Sequence, residues 1–513
     1  MSPNLARSVA LYMNPEWLLF DTPILSAPEN IALDRMLLGK RQKDEIPNSL
    51  RFLQFFPCVL IGYHQTTQEA RREFCKARNI EINRRITGGG AIYFDEKCLG
   101  YEIIAKRSDL GKGFDKITER LCNCVVYSLR KLNVNARFRP RNDIEVEGRK
   151  IGGSGGVFEG EYFLFQGTLL LGVDLETMFS ALQVPIEKLS DKELASARER
   201  VTSLSEVLKK PISISLLKDI LKKGVEECLG VKFKEAKLPK ISAKAIKRFS
   251  SKEWIEEIPS DSSLQDTIYS SYKVSSGLIK IGAKIEGKTL RQILVSGDFF
   301  VFPQRRIFDL EAYLKDTPLI FLEEKLKKFF AENPIEGISH SDLQKAISFI
   351  LEKEEYRDMG ISIPEANKIF TINGGLLEII RNASFLLVPY CAKPIACEHR
   401  NATTCNRCGE CSCGEAYNIG ERNGLTPITI LNYENLKETL KKLKSPYIGS
   451  CCSSFFNKHQ GTFRKGPPCV LIDIESKTCY ELKQEKEAYQ GNFENQTSLN
   501  IPLLKKVIEI GKM

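Results

Sequence analysis

The order of apolar and polar residues divides the chain into segments of different period. "CVLIGY" and "LGYEII" are short apolar runs with β-branched content, and they read as strands. Ile117, Leu121, Val125, Leu129 and Leu132 recur at helical spacing, which predicts an amphipathic helix. Cys122 and Cys124 fall within that helix and, with no partner near them in sequence, read as small buried apolar residues. Alternating strand and helix signals of this kind predict a mixed-sheet α+β domain over residues 1–235. In "SGLIKIGAKIEGKTLRQILVSGDFFVF" two strand-like runs meet at Glu286-Gly287-Lys288, a hairpin pattern. Helical patterns follow from about Asp309 to Ala331 and from about Ser341 to Glu354, so a small α+β unit is expected over residues 236–355. The stretch "ISIPEANKIFTINGG", punctuated by proline and glycine, separates it from a cysteine-rich domain at residues 385–513.

Composition agrees with several domains, because 513 residues at 42% hydrophobic content exceed what one core holds. Neither a leader-like apolar region nor a long apolar run is present; "FLLVPYCA" is short and Lys393 soon follows it. The expectation is a cytoplasmic chain with no membrane partner. A net charge of +10 is modest for this length. Lysines concentrate in "KFKEAKLPKISAKAIKRFSSKEW", which reads as a solvated helix face and connector able to steer an acidic partner protein. No basic region is interleaved with aromatics on a recognition motif, so nucleic acid is not an expected partner. Nothing in the sequence fixes the oligomeric state.

Candidate chemistry begins at "RRITGGGA", Arg84 to Ala91. Three consecutive glycines carry a large entropic cost and belong where main chain bends sharply or approaches a ligand, and the neighbouring arginines point to an anion. Downstream, "RNDIEVEGRKIGGSGGVFEGEYFLFQGTLLLGVDL" places Asn142 and Asp143 before a strand, a turn at Glu147-Gly148, and Lys150 ahead of Gly152, Gly153 and Ser154. A lysine on a hairpin beside glycines sets a mobile cation next to exposed backbone N–H groups, an arrangement suited to phosphate or carboxylate. The Walker spacing is missing and the Rossmann pattern does not follow the glycines.

Taken in order, "SLRFLQFFPCVLIGYHQ", "INRRITGGGAIYFDEKCLGYEII", "NDIEVEGRKIGGSGG", "QGTLLLGVDL" and "RERVTSLSEV" resemble the lipoate-protein ligase family, which shares its fold with biotin ligases and octanoyltransferases. The resemblance covers about Trp17 to Phe233 and continues through "SKEWIEEIPS" and the hairpin unit, which look like the accessory domain of larger lipoate ligases. It implies a biotin/lipoyl ligase-type catalytic domain that joins lipoate and ATP, with Mg²⁺ on the nucleotide, into lipoyl-adenylate. The acyl group would then pass to a lysine of an acceptor, a lipoyl domain or a protein like that of the glycine cleavage system. By this resemblance Lys150 carries the main electrostatic role. Arg85, Thr87, Gly88, Gly89, Gly90 and Ala91 would line the acyl and nucleotide pocket. Asn142 and Asp143 would meet phosphate or Mg²⁺, and Gly152, Ser154, Gly167 and Thr168 would shape the same pocket.

The chain departs from the family at Phe94 and Gln166, where histidines are common; both bear on substrate length and nucleotide geometry. An octanoyltransferase needs an acyl-cysteine, and neither stretch that would carry it, before "RFRPRNDIEV" or in "LQVPIEKL", contains one. Cys98 lies near the glycine loop in sequence and is expected to be buried. A biotin ligase would need a G-R-G-R loop, which is absent. A different class remains open: a redox-regulated scaffold that only binds lipoate.

Sixteen cysteines are unevenly placed, ten of them between Cys391 and Cys479. Cys405, Cys408 and Cys411 have C-x-x-C-x-x-C spacing and Cys413 follows. Cys397, Cys451 and Cys452 complete a candidate ligand set for a [4Fe–4S] cluster or Zn²⁺. Cys469 and Cys479 read as strand packing. The region from about Cys397 onward, including "YIGSCC" and "CYELKQEKEAYQGNFENQT", is similar to a cysteine-rich domain family without an assigned activity.

Overall fold

The computed structural model describes residues 15–140, 142–172, 174–182, 201–258, 266–480, 482 and 484–512. Most of "LQVPIEKL", the first residues of "RERVTSLSEV" and the end of "SKEWIEEIPS" lie outside the described residues.

The first domain is built on strands β1 (Glu16–Leu25), β2 (Ser49–Phe55), β6 (Cys98–Lys106), β7 (Ala136–Arg139), β8 (Asp143–Val146), β9 (Arg149–Glu159), β10 (Tyr162–Leu170) and β11 (Lys232–Glu235). They form one mixed sheet in the order β11-β1-β2-β6-β10-β9-β8-β7. Strands β3 (Cys58–Ile61), β4 (Glu81–Arg84) and β5 (Ile92–Phe94) form a second, small sheet, β4-β3-β5. The helix Ala27–Gln42 starts with a capping box in which Glu29 accepts from the Ser26 N–H at 2.9 Å.

The predicted helix around Ile117 is Phe114–Arg130, packed on the helix Ile214–Leu229. A Cβ on Gly224 would lie 1.9 Å from Ser128 Oγ, so a glycine is what allows this approach. Here the reading of Cys124 is corrected: it forms a disulfide with Cys228 of the facing helix, a partner 104 residues away that local spacing does not reveal.

The boundary expected at residue 235 also moves. Phe249 and Trp254 are buried in the first domain's core, and Trp254 donates its indole N–H to the Arg84 carbonyl at 2.9 Å. The end of the lysine-rich stretch is therefore anchored, with its lysines left outside.

The second unit contains β12 (Ile268–Val274), β13 (Gly277–Glu286), β14 (Thr289–Gly297) and β15 (Thr317–Pro318), an antiparallel sheet covered by helices Arg306–Leu314, Leu322–Glu332 and His340–Glu355. Gly287 and Lys288 at the hairpin both have positive φ, 54° and 62°, as a two-residue primed turn requires. The single helix read from Asp309 to Ala331 is two, interrupted by β15.

The third unit begins earlier than residue 385. Its strands are β16 (Ile369–Ile372), β17 (Phe385–Pro389), β18 (Thr426–Ile430), β19 (Tyr447–Ser450) and β20 (Cys469–Ile472), in the order β16-β20-β19-β17-β18. All pairs are parallel except β16 with β20. Thus "ISIPEANKIFTINGG", read as a separator, supplies the edge strand β16. Two apolar clusters, one on each face, bury the sheet, which explains its nearly unbroken apolar runs.

Candidate active site

A cavity of about 400 Å³ opens between the main sheet and the small sheet of the first domain. Arg85, Thr87, Gly89, Gly90, Ala91, Asn142, Lys150, Gly152, Ser154, Gly167 and Thr168 all line it. Two expected residues do not: Asp143 stands behind Lys150, and Gly88 faces the second domain. One end of the cavity is apolar, walled by Leu53, Phe55, Leu60, Phe94, Leu170 and Phe179. Phe94, where a histidine is common, packs on Phe55 with ring centroids 4.7 Å apart.

Lys150 sits near the start of β9, where the β8–β9 hairpin turns it toward the cavity. Its Nζ lies 2.6 Å from Asp143 Oδ1, and the side chain remains 41% exposed. Gly153 makes this position possible: a Cβ there would be 2.9 Å from Lys150 Nζ and 3.1 Å from its Cε. At Gly152 a Cβ would meet the Thr168 carbonyl at 2.4 Å, and at Gly167 the Tyr101 ring at 2.1 Å. These glycines let three strands pack flat around one ammonium. Asn142 donates to the Ser154 carbonyl at 2.5 Å and so fixes the hairpin from the side.

Arg85 has a different task from the anion contact expected of it. It is buried and gives its N–H groups to the Leu60, Gly88 and Gly90 carbonyls at 2.7–2.8 Å and to Thr87 Oγ1 at 3.0 Å. Desolvation lowers its pKa to about 10, still far above neutrality. Arg84 is likewise consumed by carbonyls, among them those of Tyr63, Gln65 and Trp254. Arg85 is a strap that holds the glycine loop in shape, and Arg84 ties the turn at Gly62, Tyr63 and Gln65 to Trp254 and Ile255. The loop's missing side chains leave room partly for protein: a Cβ on Gly88 would lie 2.9 Å from the Phe299 carbonyl, and one on Gly89 2.9 Å from the Phe300 ring. Phe300, from the segment after β14, reaches into the cavity itself.

Sequence reasoning missed a buried polar row at the cavity wall. In the sheet register Arg51 pairs with Glu102 and Glu102 with Gln166, so the three side chains lie on one face across β2, β6 and β10. Asp34 joins from the helix above and forms an ion pair with Arg51. The Gln166 amide donates to Asp34 Oδ2 at 2.9 Å and to Glu102 Oε2 at 2.8 Å. Two carboxyls thus share one guanidinium out of contact with water. Burial, partly offset by Arg51, raises the Glu102 pKa. A charge of each sign inside otherwise apolar strand runs, "SLRFLQF" and "CLGYEIIAK", was the signal available.

The cysteines divide into groups that differ from the expected ligand set. Cys98 is buried, with its thiol 3.5 Å from Asp95 Oδ1, and Cys469 packs within β20 as read. Around the C-x-x-C loop the organising charge belongs to Lys393, fully buried and bonded to the His399, Ala402 and Thr404 carbonyls at 2.7–2.8 Å. Burial lowers the Lys393 pKa, and Cys413, Cys405, Cys397 and Cys411 near that ammonium partly offset it. Cys451 and Cys452 instead follow β19 and line a separate cavity with Cys391 and Cys479, so Cys479 is not strand packing. Among the described residues no three His, Cys, Asp or Glu side chains are grouped to hold a metal ion. The arrangement does not support the [4Fe–4S] or Zn²⁺ expectation, and a lysine cation fills the role anticipated for metal in ordering the loop.

Residues 26–226 match the family model described as the lipoyl protein ligase A/B catalytic domain. Lipoate–protein ligase 1 of Staphylococcus aureus is 32% identical over 200 residues, which is 38% of this chain and 58% of that protein. The chain therefore spans little more than half the length of that relative. Octanoyltransferase LipM of Kyrpidia tusciae is 28% identical over 249 residues, 43% of this chain and 90% of that protein. The solved structure of P. falciparum LipL1 in complex with lipoate is similar at a TM-score of 0.51 and 16% identity, covering 66% of this chain and 99% of that one. That likeness is one of fold.

Proposed function

The domain spanning residues 26–226 belongs to the lipoyl protein ligase A/B catalytic family, and we propose that it is an ATP-dependent lipoate-protein ligase. Lipoate and ATP would form lipoyl-adenylate and pyrophosphate, and a lysine of a lipoyl acceptor domain, or of a glycine-cleavage H-like protein, would attack the mixed anhydride. The observation that carries this reading is the Lys150 ammonium, paired with Asp143 at 2.6 Å on the wall of a cavity that also has an apolar part.

Joining two anions is opposed by their mutual repulsion, and a cation held in place before reaction lowers that barrier with little reorganisation. The apolar end between Phe55, Phe94 and Phe179 suits an acyl chain, leaving its carboxylate beside Lys150. Ser154, Thr168 and the loop N–H groups would receive the nucleotide, and the Asn142 amide oxygen would offer the kind of donor that a nucleotide-bound Mg²⁺ prefers, whereas Asp143 is engaged by Lys150 behind the cavity wall. Holding both reactants there supplies rate through positioning.

The similarity to LipM favours a second reading, an octanoyl or lipoyl transferase that needs no ATP. That chemistry requires an acyl-cysteine. None of the described residues lining the cavity is a cysteine, and residues 183–200 contain none. Cys122 stands behind Ser154, outside the cavity lining, and burial pushes its pKa up to about 12. The deciding experiment supplies lipoate, octanoate and biotin separately and follows ATP–pyrophosphate exchange. Lipoate-dependent exchange is the expected result. Acyl transfer from a carrier protein without nucleotide would instead establish the transferase, and neither activity would leave the lipoate-binding scaffold.

A further inference from the structure

The third domain holds a cavity of about 110 Å³ at the carboxyl edge of its parallel sheet. The chain leaves β17 for β18 on one side and then returns for β19 on the other, so the crevice between β17 and β19 is the switch point of the topology. Parallel α/β sheets bind ligands at this point. The residues that follow these two strands meet there: Cys391 after β17, and Cys451 and Cys452 after β19. All three are unbridged, and Cys479 also lines the cavity.

The lining defines what can enter. Among the described residues that form it there is no Asp, Glu, Lys or Arg; the walls are Leu387, Leu436, Phe455, Tyr447 and Tyr489, with thiols at the strand ends. An uncharged group therefore fits, and a carboxylate or nucleotide does not. The volume is of the order of the ~150 Å³ cavities that accept one benzene-sized ring. Cys391 and Cys452 line this same small cavity, and Cys452 starts the helix Ser453–Phe463; burial raises the pKa of both thiols, an effect the Phe455 N–H partly offsets at Cys452.

We propose that this cavity binds the neutral dithiolane ring of a lipoyl amide and that Cys452 and Cys391 exchange with it. The inference rests on the ligase reading for its ligand. In the first step Cys452 Sγ attacks one ring sulfur, the ring S–S bond breaks, and the Cys452 proton ends on the released sulfur. In the second, Cys391 Sγ attacks Cys452 Sγ, the mixed disulfide breaks, and the other lipoyl sulfur leaves with the Cys391 proton. Two thiols are oxidised to one disulfide, and one ring disulfide is reduced to two thiols. A further turnover requires an external dithiol to reduce the Cys391–Cys452 bond.

The test uses full-length protein, fully reduced, freed of small thiols under argon and mixed with one equivalent of lipoamide without ATP. After acid quenching, peptide mass spectrometry should find a Cys391–Cys452 disulfide together with about one dihydrolipoamide per chain. Cys391→Ser should stop at a mixed disulfide on Cys452, and an open-chain neutral disulfide should react more than about tenfold more slowly because it lacks the strained ring that fits. The wild-type mapping needs no variant to fold. No lipoamide-dependent disulfide at these residues, equal reaction with the open-chain compound, or stoichiometric iron or zinc on the same thiols each overturns the proposal. ATP–pyrophosphate exchange with free lipoate is run on the same sample. Exchange without the disulfide sinks this inference alone, and the disulfide without exchange sinks the ligase reading alone.

Discussion

Gly153 offers a test of the ligase mechanism that leaves the cation in the protein. It lies in β9 opposite Thr168 and beside Asp143, and its φ is outside the left-handed region. Alanine is therefore compatible with its backbone, and in that situation Gly→Ala stabilises a protein by about 0.4–1 kcal/mol through the unfolded state. The new Cβ would stand 2.9 Å from Lys150 Nζ and 3.1 Å from Cε, with Asp143 Oδ1 at 3.7 Å. The crowded atoms are the end of a flexible side chain, so the fold stays and the ammonium moves. A displacement of about 1 Å in a positioned catalytic group lowers rate roughly 100-fold, or about 2.7 kcal/mol of barrier.

The assay is lipoate-dependent ATP–pyrophosphate exchange on Gly153→Ala, Lys150→Ala and the double variant, with urea melts alongside. Lys150→Ala should lose about 10²–10³-fold, the scale of one electrostatic donor. Because Gly153→Ala acts through Lys150, it should cost nothing further in the Lys150→Ala background. Equal losses in both backgrounds, or a normal rate in Gly153→Ala with its ammonium shifted, would refute the assignment of the reacting charge to Lys150.

Three more outcomes follow from the same contacts. Arg85→Met should lower the unfolding free energy read from urea melts by at least about 3 kcal/mol, because it strands three buried carbonyls at about 1–3 kcal/mol each; a change in substrate KM alone would contradict the strap role. Gly88→Ala should speed hydrogen exchange at the Gly89 amide and around Phe299, since its Cβ would meet the Phe299 carbonyl at 2.9 Å; unchanged protection would show that the domains do not seat there. His64 is buried against Phe299 at 5.2 Å, and desolvation lowers its pKa to about 3. The unfolded chain takes up the proton first, so stability falls as pH drops below the ordinary 6.5, by about 2 kcal/mol between pH 6.5 and 5. His64→Phe should flatten that slope in thermal melts, and a slope equal to the parent's would place the titrating group elsewhere.

What could be read without coordinates was local. The hairpin at Gly287-Lys288 and the approach of Lys150 to its neighbouring glycines follow from turn chemistry within a few residues, and both are present. The row Arg51–Glu102–Gln166 could not be read, because it depends on the register of three strands separated by up to 115 positions in number, as residues 51 and 166 are. The disulfide between Cys124 and Cys228 failed for the same reason. Sequence proximity also misled: the cysteines from 405 to 413 look like one ligand set, whereas strand ends bring Cys391 to Cys451 and Cys452 across 60 residues.

The glycine triplet shows how one local signal can satisfy two demands. Its composition points to main chain approached closely, and close approach is what Gly88 and Gly89 provide. The approaching group in this arrangement is the second domain, whose Phe300 enters the cavity between Gly89 and Gly155. Gly90 differs: the nearest atom to a Cβ there is Asp298 Cβ at 4.0 Å, so the space a side chain would take stays open. Arg85 makes the two demands compatible, since it holds the Gly88 and Gly90 carbonyls on its own guanidinium at 2.7 and 2.8 Å. With those carbonyls turned inward to the arginine, the Gly89 N–H points outward and meets the Phe299 carbonyl at 3.4 Å. An arginine beside three glycines thus acts here through the peptide dipoles it orients, its own charge being spent on the loop's carbonyls.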